Sequence, residues 1–115
     1  MSVTIYHNPR WSKSRESVKI LQKECKSFKI VQYLKEKINQ KTLENILNIL
    51  NIEPIDLIRK NEREFKTSDI SLREKDRNKI IQLIIENPKI MERPIILNGE
   101  KGVIGRPPEN IYKIL

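Results

Sequence analysis

Between Tyr6 and Ser17 the chain reads YHNPRWSKSRES. A short extended run ends in His7-Asn8-Pro9, cationic and hydroxyl side chains follow, and a helical pattern begins. Backbone N–H groups at a helix N-terminus, with positive charge around them, form a site for an anion. Three arginines further along share that chemistry: Arg59 in LIRKNE, Arg93 in MERPI and Arg106 in GRPPE. Each sits at the end of an element, and two stand beside a proline that stiffens the backbone. Paired guanidinium N–H donors suit a tetrahedral oxyanion. Such a pocket often carries a nucleophile, yet the residue at its mouth is Trp11.

The other reactive candidates are few. His7 is the sole histidine. It can tune the protonation of a neighbouring group, and it can equally be a structural residue at a strand end. Ser12 and Ser14 suit the helix N-cap. As a nucleophile either serine would need a paired base, and only His7 is available, with no third partner in a recognisable context. Cys25 shares an apolar helical face with Val18 and Leu21 and reads as a small buried hydrophobe. At about 1.5 Å of rise per residue it stands on the order of 20 Å from the pocket, too far to serve in place of Trp11. Read singly, each arginine is also compatible with an ordinary surface role.

The elements that must position these residues follow from periodicity. Val3–Tyr6 reads as a strand before the Asn8-Pro9 breaker. A helix follows with Val18, Leu21 and Cys25 on one face, and Ser27–Leu34 is the second strand. Leu43, Ile46, Leu47 and Leu50 form one helical stripe, and Pro54 opens a further helical stretch. The polar segment NEREFKTSD leads to a helix near Glu74–Glu86, stopped by Asn87-Pro88. PIILNGEKGVIG reads as a hairpin about Asn98-Gly99, and PPENIYKIL as a closing helix. The order is β-α-β, a helical block, then β-β-α. A right-handed β-α-β crossover extended by a hairpin gives an α/β fold with a mixed four-stranded sheet. This is the thioredoxin-like arrangement, expected here as a single domain over 1–115 with a helical insertion at about 38–88. Pro94, just before the third strand, fits it, because a proline at that point is commonly cis and faces the first helix.

Composition bounds the class. The chain has 115 residues, 37% hydrophobic and 5% aromatic, so its core must be mainly Ile, Leu and Val. No apolar run is long enough to span a bilayer and no signal-peptide core is visible, which makes a cytoplasmic protein without membrane association the expectation. The one cysteine excludes an internal disulfide and a cysteine-based metal cluster, and no metal site is expected. A net charge of +8 raises nucleic acid as a partner. The lysines are interspersed with glutamates, as in LKEKINQK, and no aromatic platform exists for stacking bases, which argues against it.

The string YHNPRWSKSRE resembles the HNPRCSKSR signature of the glutaredoxin-coupled arsenate reductase family, and the likeness continues through LIRKNE, NPKIMERPIIL and GVIGRPPE. The resemblance implies that Trp11 occupies the position of the family's nucleophilic cysteine. It implies that Arg59, Arg93 and Arg106 bind the oxyanion, that His7 helps lower the nucleophile's pKa, and that Pro94 lies beside the site, where Ser12 and Ser14 keep the structural role read from their place at the helix start. It implies arsenate as substrate, glutathione as co-substrate, glutaredoxin as partner and no bound cofactor. Indole is neither a thiolate nor a reversible redox partner, so reductase activity is not expected of the chain as written. Two other readings remain: a non-catalytic regulator or interaction protein of the Spx type, and a thiol-dependent reductase of another substrate.

Overall fold

The computed structural model describes residues 2–68, 70, 71 and 73–115; Asp69, the end of the polar segment, falls outside them. The chain divides into two compact units, Met1–Glu36 with Arg93–Leu115, and Lys37–Glu92.

The first unit is built on a four-stranded sheet, order β2-β1-β3-β4, from β1 (Val3–Tyr6), β2 (Lys29–Val31), β3 (Ile95–Asn98) and β4 (Lys101–Ile104). β1 pairs with β2 in parallel, Ile5 opposite Ile30, and with β3 in antiparallel, Ile5 opposite Ile96. The mixed sheet is therefore the expected one. Gly99, at φ 63°, makes the β3–β4 turn, a conformation that glycine adopts without steric cost.

Helix α1 (Ser12–Glu24) buries Ser14, Ser17 and Leu21. Spacings of three and four residues put all of them on one face. One core joins Leu21 to Val3 and Ile5 of β1, Ile96 of β3, and Ile111 and Ile114, with Val18 and Cys25 packed against it. Cys25 is the C-cap of α1, its N–H bonded to Leu21 O; it packs against this core but is half-buried, not the buried hydrophobe expected, because it sits at the helix end. The terminal PENIYK segment, Pro108–Lys113, is a 3-10 helix and not the expected α-helix. Two prolines at its start remove N–H donors, and the Asn110 side chain turns back to Ile104 O (3.0 Å) and Arg106 O (3.2 Å). β2 is shorter than expected because Lys35 and Glu36 both donate their N–H groups to Gln32 O, closing a turn where the strand would continue.

The second unit holds α2 (Gln40–Leu50), α3 (Arg63–Lys66) and α4 (Arg77–Glu86). Asn39 caps α2 through Thr42 N at 2.8 Å, and Asn51, at φ 56°, ends it. Asp76 caps α4, which sets its start three residues later than expected. α3 arises within the polar segment, to which the sequence assigns no element, its one buried residue being Phe65. Ile58 bridges Met91, and Arg59 N donates to Ile90 O at 2.6 Å.

One close approach ties the first unit together. A Cβ at Gly105 would lie 2.9 Å from Pro94 Cγ, Ile96 Cδ1 and Ser17 Oγ, and Gly105 N donates to Pro94 O at 2.8 Å. Gly105→Ala is expected to cost about 1–3 kcal/mol by overpacking, read as a fall in the urea midpoint at unchanged slope. An unshifted midpoint would show that these neighbours yield.

Candidate functional site

The site begins where β1 ends. His7 N extends the parallel ladder by donating to Val31 O at 2.8 Å. The chain then reverses: Asn8 O accepts Trp11 N at 3.1 Å across a turn with Pro9 in its second position, and Asn8 Oδ1 accepts Arg10 N at 3.1 Å. Both bonds satisfy donors that would otherwise be stranded at a tight bend, the Asx-type use of asparagine before proline.

Ser14 fastens this turn to the helix. It is fully buried, bonds His7 Nδ1 at 2.5 Å through its Oγ, and accepts Asn8 N at 3.0 Å. The N-cap expected at Ser12 or Ser14 is instead Trp11, which has extended backbone angles and no side-chain capping bond. Ser12 is the first helical residue, and Ser14 is engaged below the turn, so neither reaches back to cap.

The first turn of α1 contains no acidic residue, while Arg10, Lys13 and Arg15 surround it. Cations at this end oppose the helix dipole, each by about 0.3–1 kcal/mol near the surface. Lys13 has Glu16 at 3.8 Å, an exposed contact worth little. The uncapped turn thus offers backbone donors and positive charge, with no acidic residue in the first turn itself.

Trp11 and Arg93 meet there. The guanidinium carbon of Arg93 lies 3.3 Å from the indole centroid. Arg93 is 3% exposed and Trp11 39%, so the ring covers the cation from outside. Such a stack is worth about 0.5–2 kcal/mol, more as it is desolvated. Pro94 is buried, follows a cis peptide bond as such a position commonly does, and accepts Gly105 N. The Arg106–Pro107 bond is also cis, which the sequence did not suggest. Register pairs Ile95 with Ile104, and the Gly105–Pro94 bond carries that pairing outward, so the backbones of Arg93 and Arg106 flank the same strand ends. Arg106 is exposed.

Arg59 belongs to the second unit, where Nη1 pairs with Glu62 Oε1 at 2.8 Å, both side chains largely sheltered. A cleft of about 320 Å³ opens beside the β1–α1 turn, lined by His7, Arg10, Gln32, Leu34 and Lys35 among others. Among the described residues no group of three or more His, Cys, Asp or Glu side chains could hold a metal ion, and no helix is long and apolar enough to cross a membrane.

Residues 6–114 match the model of the ArsC family. The chain belongs to that family. An uncharacterised Escherichia coli protein, YfgD, is 40% identical over 98% of this chain and 96% of its own. An arsenate reductase of Haemophilus influenzae is 34% identical over the full length of both. The structure of a putative arsenate reductase from Yersinia pestis superposes with a TM-score of 0.91, at 36% identity, over 98% of this chain and all of the other. A regulatory protein of Bacillus subtilis, MgsR, is 28% identical over 97% of this chain and 89% of its own. The ArsC relationship agrees with the thioredoxin-like topology and with the signature around the β1–α1 turn.

Reading by motif passed over Asn8, Ser17 and Gly105, the residues that shape this site without touching solvent chemistry. Asn8-Pro9 was legible as a breaker, and its asparagine as a turn former. Ser17 falls three residues from Ser14 on the face that also carries Leu21, a buried position that periodicity marks but that a hydroxyl disguises.

His7 is 8% exposed, and burial pushes its pKa below the ordinary 6.5, with Arg15 adding repulsion. The neutral ring is therefore favoured in the fold, and the unfolded chain binds the proton more readily. This contribution to stability is complete above pH 6.5 and is lost as pH falls through the lowered native value. The unfolding free energy of the protein should decline on acidification below pH 6.5 more steeply than that of His7→Gln. Parallel pH profiles would remove His7 as the cause.

Proposed function

We propose that this protein is a cytoplasmic, oxyanion-binding member of the arsenate reductase family in which Trp11 stands at the nucleophile position, so that recognition is retained and reduction is not. The observation that carries the reading is the stack of Trp11 on Arg93 at the uncapped, basic N-terminus of α1. A helix N-terminus with guanidiniums around it suits a tetrahedral oxyanion such as arsenate. Arg93 and Arg106 supply paired donors in this reading, and Arg59 enters it through the family resemblance alone. His7, held by Ser14, and Pro94 shape the turn.

Two-electron reduction of arsenate to arsenite needs a thiolate to attack arsenic and a second thiol, from glutathione, to leave as disulfide with that sulfur. One oxygen departs as water, and glutaredoxin then reduces the mixed disulfide. Indole can form no such sulfur bond, and a Ser12 ester would offer no route for the electrons. Cys25, at the far end of α1, cannot supply the missing thiol.

The test is a glutathione- and glutaredoxin-coupled arsenate reduction assay on the protein and on Trp11→Cys. Turnover only in the cysteine form is the expected result. Turnover in the unmodified chain would overturn the chemical claim, and inactivity of both would remove arsenate as the substrate. In the Trp11→Cys background, Arg93→Ala or Arg106→Ala should lower kcat/KM by roughly 100-fold or more, the usual cost of a lost oxyanion donor. Unchanged kinetics would end their role.

The likeness to MgsR favours a second reading, a non-catalytic regulator that binds a protein partner. A pull-down from cell extract at physiological salt separates the two. Recovery of subunits of RNA polymerase, the partner that the Spx-type resemblance implies, supports the regulator, while salt-sensitive nucleic acid alone reflects the +8 charge.

A further inference from the structure

We infer that Trp11 is a displaceable plug, and that a tetrahedral oxyanion and the indole compete for one face of Arg93. The inference rests on the oxyanion reading above and adds to it how access to the site is controlled. Arg93 is 3% exposed with the ring at 3.3 Å from its guanidinium carbon, so an anion from solvent reaches that face only if the ring leaves.

The backbone permits such a departure. Trp11 N is bonded to Asn8 O and Trp11 O accepts Arg15 N, and neither bond involves the ring. Its backbone is extended, at φ −107° and ψ 129°, and its side chain makes no capping bond. The indole can therefore turn about its side-chain torsions without breaking the helix start or the turn before it. It is already 39% exposed, so the displaced ring has water to move into. The exchange is balanced in kind at this face: the cation–π stack on Arg93 is lost, and charge-assisted N–H···O⁻ bonds to the same guanidinium are gained. A cation–π stack of ordinary strength tightens the closed state by a factor of about 2 to 30, and this is the factor by which the plug weakens oxyanion binding.

The chain has a single tryptophan, so its intrinsic fluorescence reports the plug directly. The experiment titrates inorganic sulfate, a redox-inert tetrahedral dianion, into the protein and into Trp11→Ala, with chloride at matched ionic strength as the blank. Binding is read by calorimetry in both, and by tryptophan emission in the unmodified protein. The expected result is sulfate binding about 2- to 30-fold tighter in Trp11→Ala, together with a saturable emission change in the unmodified protein at its own, weaker midpoint. Equal affinities without an emission change would overturn the plug while leaving the oxyanion site intact. Absence of sulfate binding in a folded Trp11→Ala, checked by circular dichroism, would overturn the oxyanion reading and the plug with it.

Discussion

The site depends on one close approach, the absence of a side chain at Gly105. It lets the exit of β4 lie against Pro94, Ile96 and Ser17 at once, which joins the two antiparallel strands to the buried face of α1. The Gly105–Pro94 hydrogen bond then continues the β3–β4 ladder past its last residue pair. Arg93 and Arg106 are each one residue outside that clasp, so their backbones inherit its stiffness. Precise placement of charged side chains comes here from packing of small groups, because a well-filled interior transmits position with little give.

Electrostatics around α1 run against the usual preference of a helix. Its first turn is uncapped by any side chain and bordered by cations. The fold tolerates this because the turn before the helix is secured independently, by Asn8 on one side and by the buried Ser14 beneath it. Local stability is thus supplied by neutral hydrogen bonds. The covering of Arg93 by an indole belongs to the same logic: a buried cation far from water is costly unless something polarisable or anionic faces it.

Much of this architecture could be read from residues alone. β1 was legible to the residue because β-branched side chains run straight into Asn8-Pro9, and α2 because its apolar stripe repeats without interruption. β2 was overextended because Gln32–Leu34 carries strand-like residues, while the turn that ends it is set by hydrogen bonds to Gln32 O that no propensity encodes. The terminal segment reads as an α-helix with a proline tolerated in its first turn; two prolines and the reach of Asn110 tighten it instead. At the site, the cationic and proline-flanked residues were visible as chemistry-bearing. The buried roles of Ser14 and Ser17 were not, since a serine below a turn and a serine capping a helix look alike until the chain is folded. The pairing of Trp11 with Arg93 joins residues remote in sequence, and local pattern carries no trace of it.

The sheet order has a consequence for assembly of the chain. β1 lies between β2 and β3, and Val3 pairs with Asn98, nearly the whole length away. Helices of the intervening unit rest on local contacts and can form early, whereas the β1–β3 seam must wait for a large loop to close. During synthesis the β1–α1 turn is made first but remains half a site. The guanidinium that Trp11 covers arrives only after the ribosome has passed Arg93. Until then the indole is an exposed aromatic side chain on a nascent chain, open to whatever apolar surface it meets.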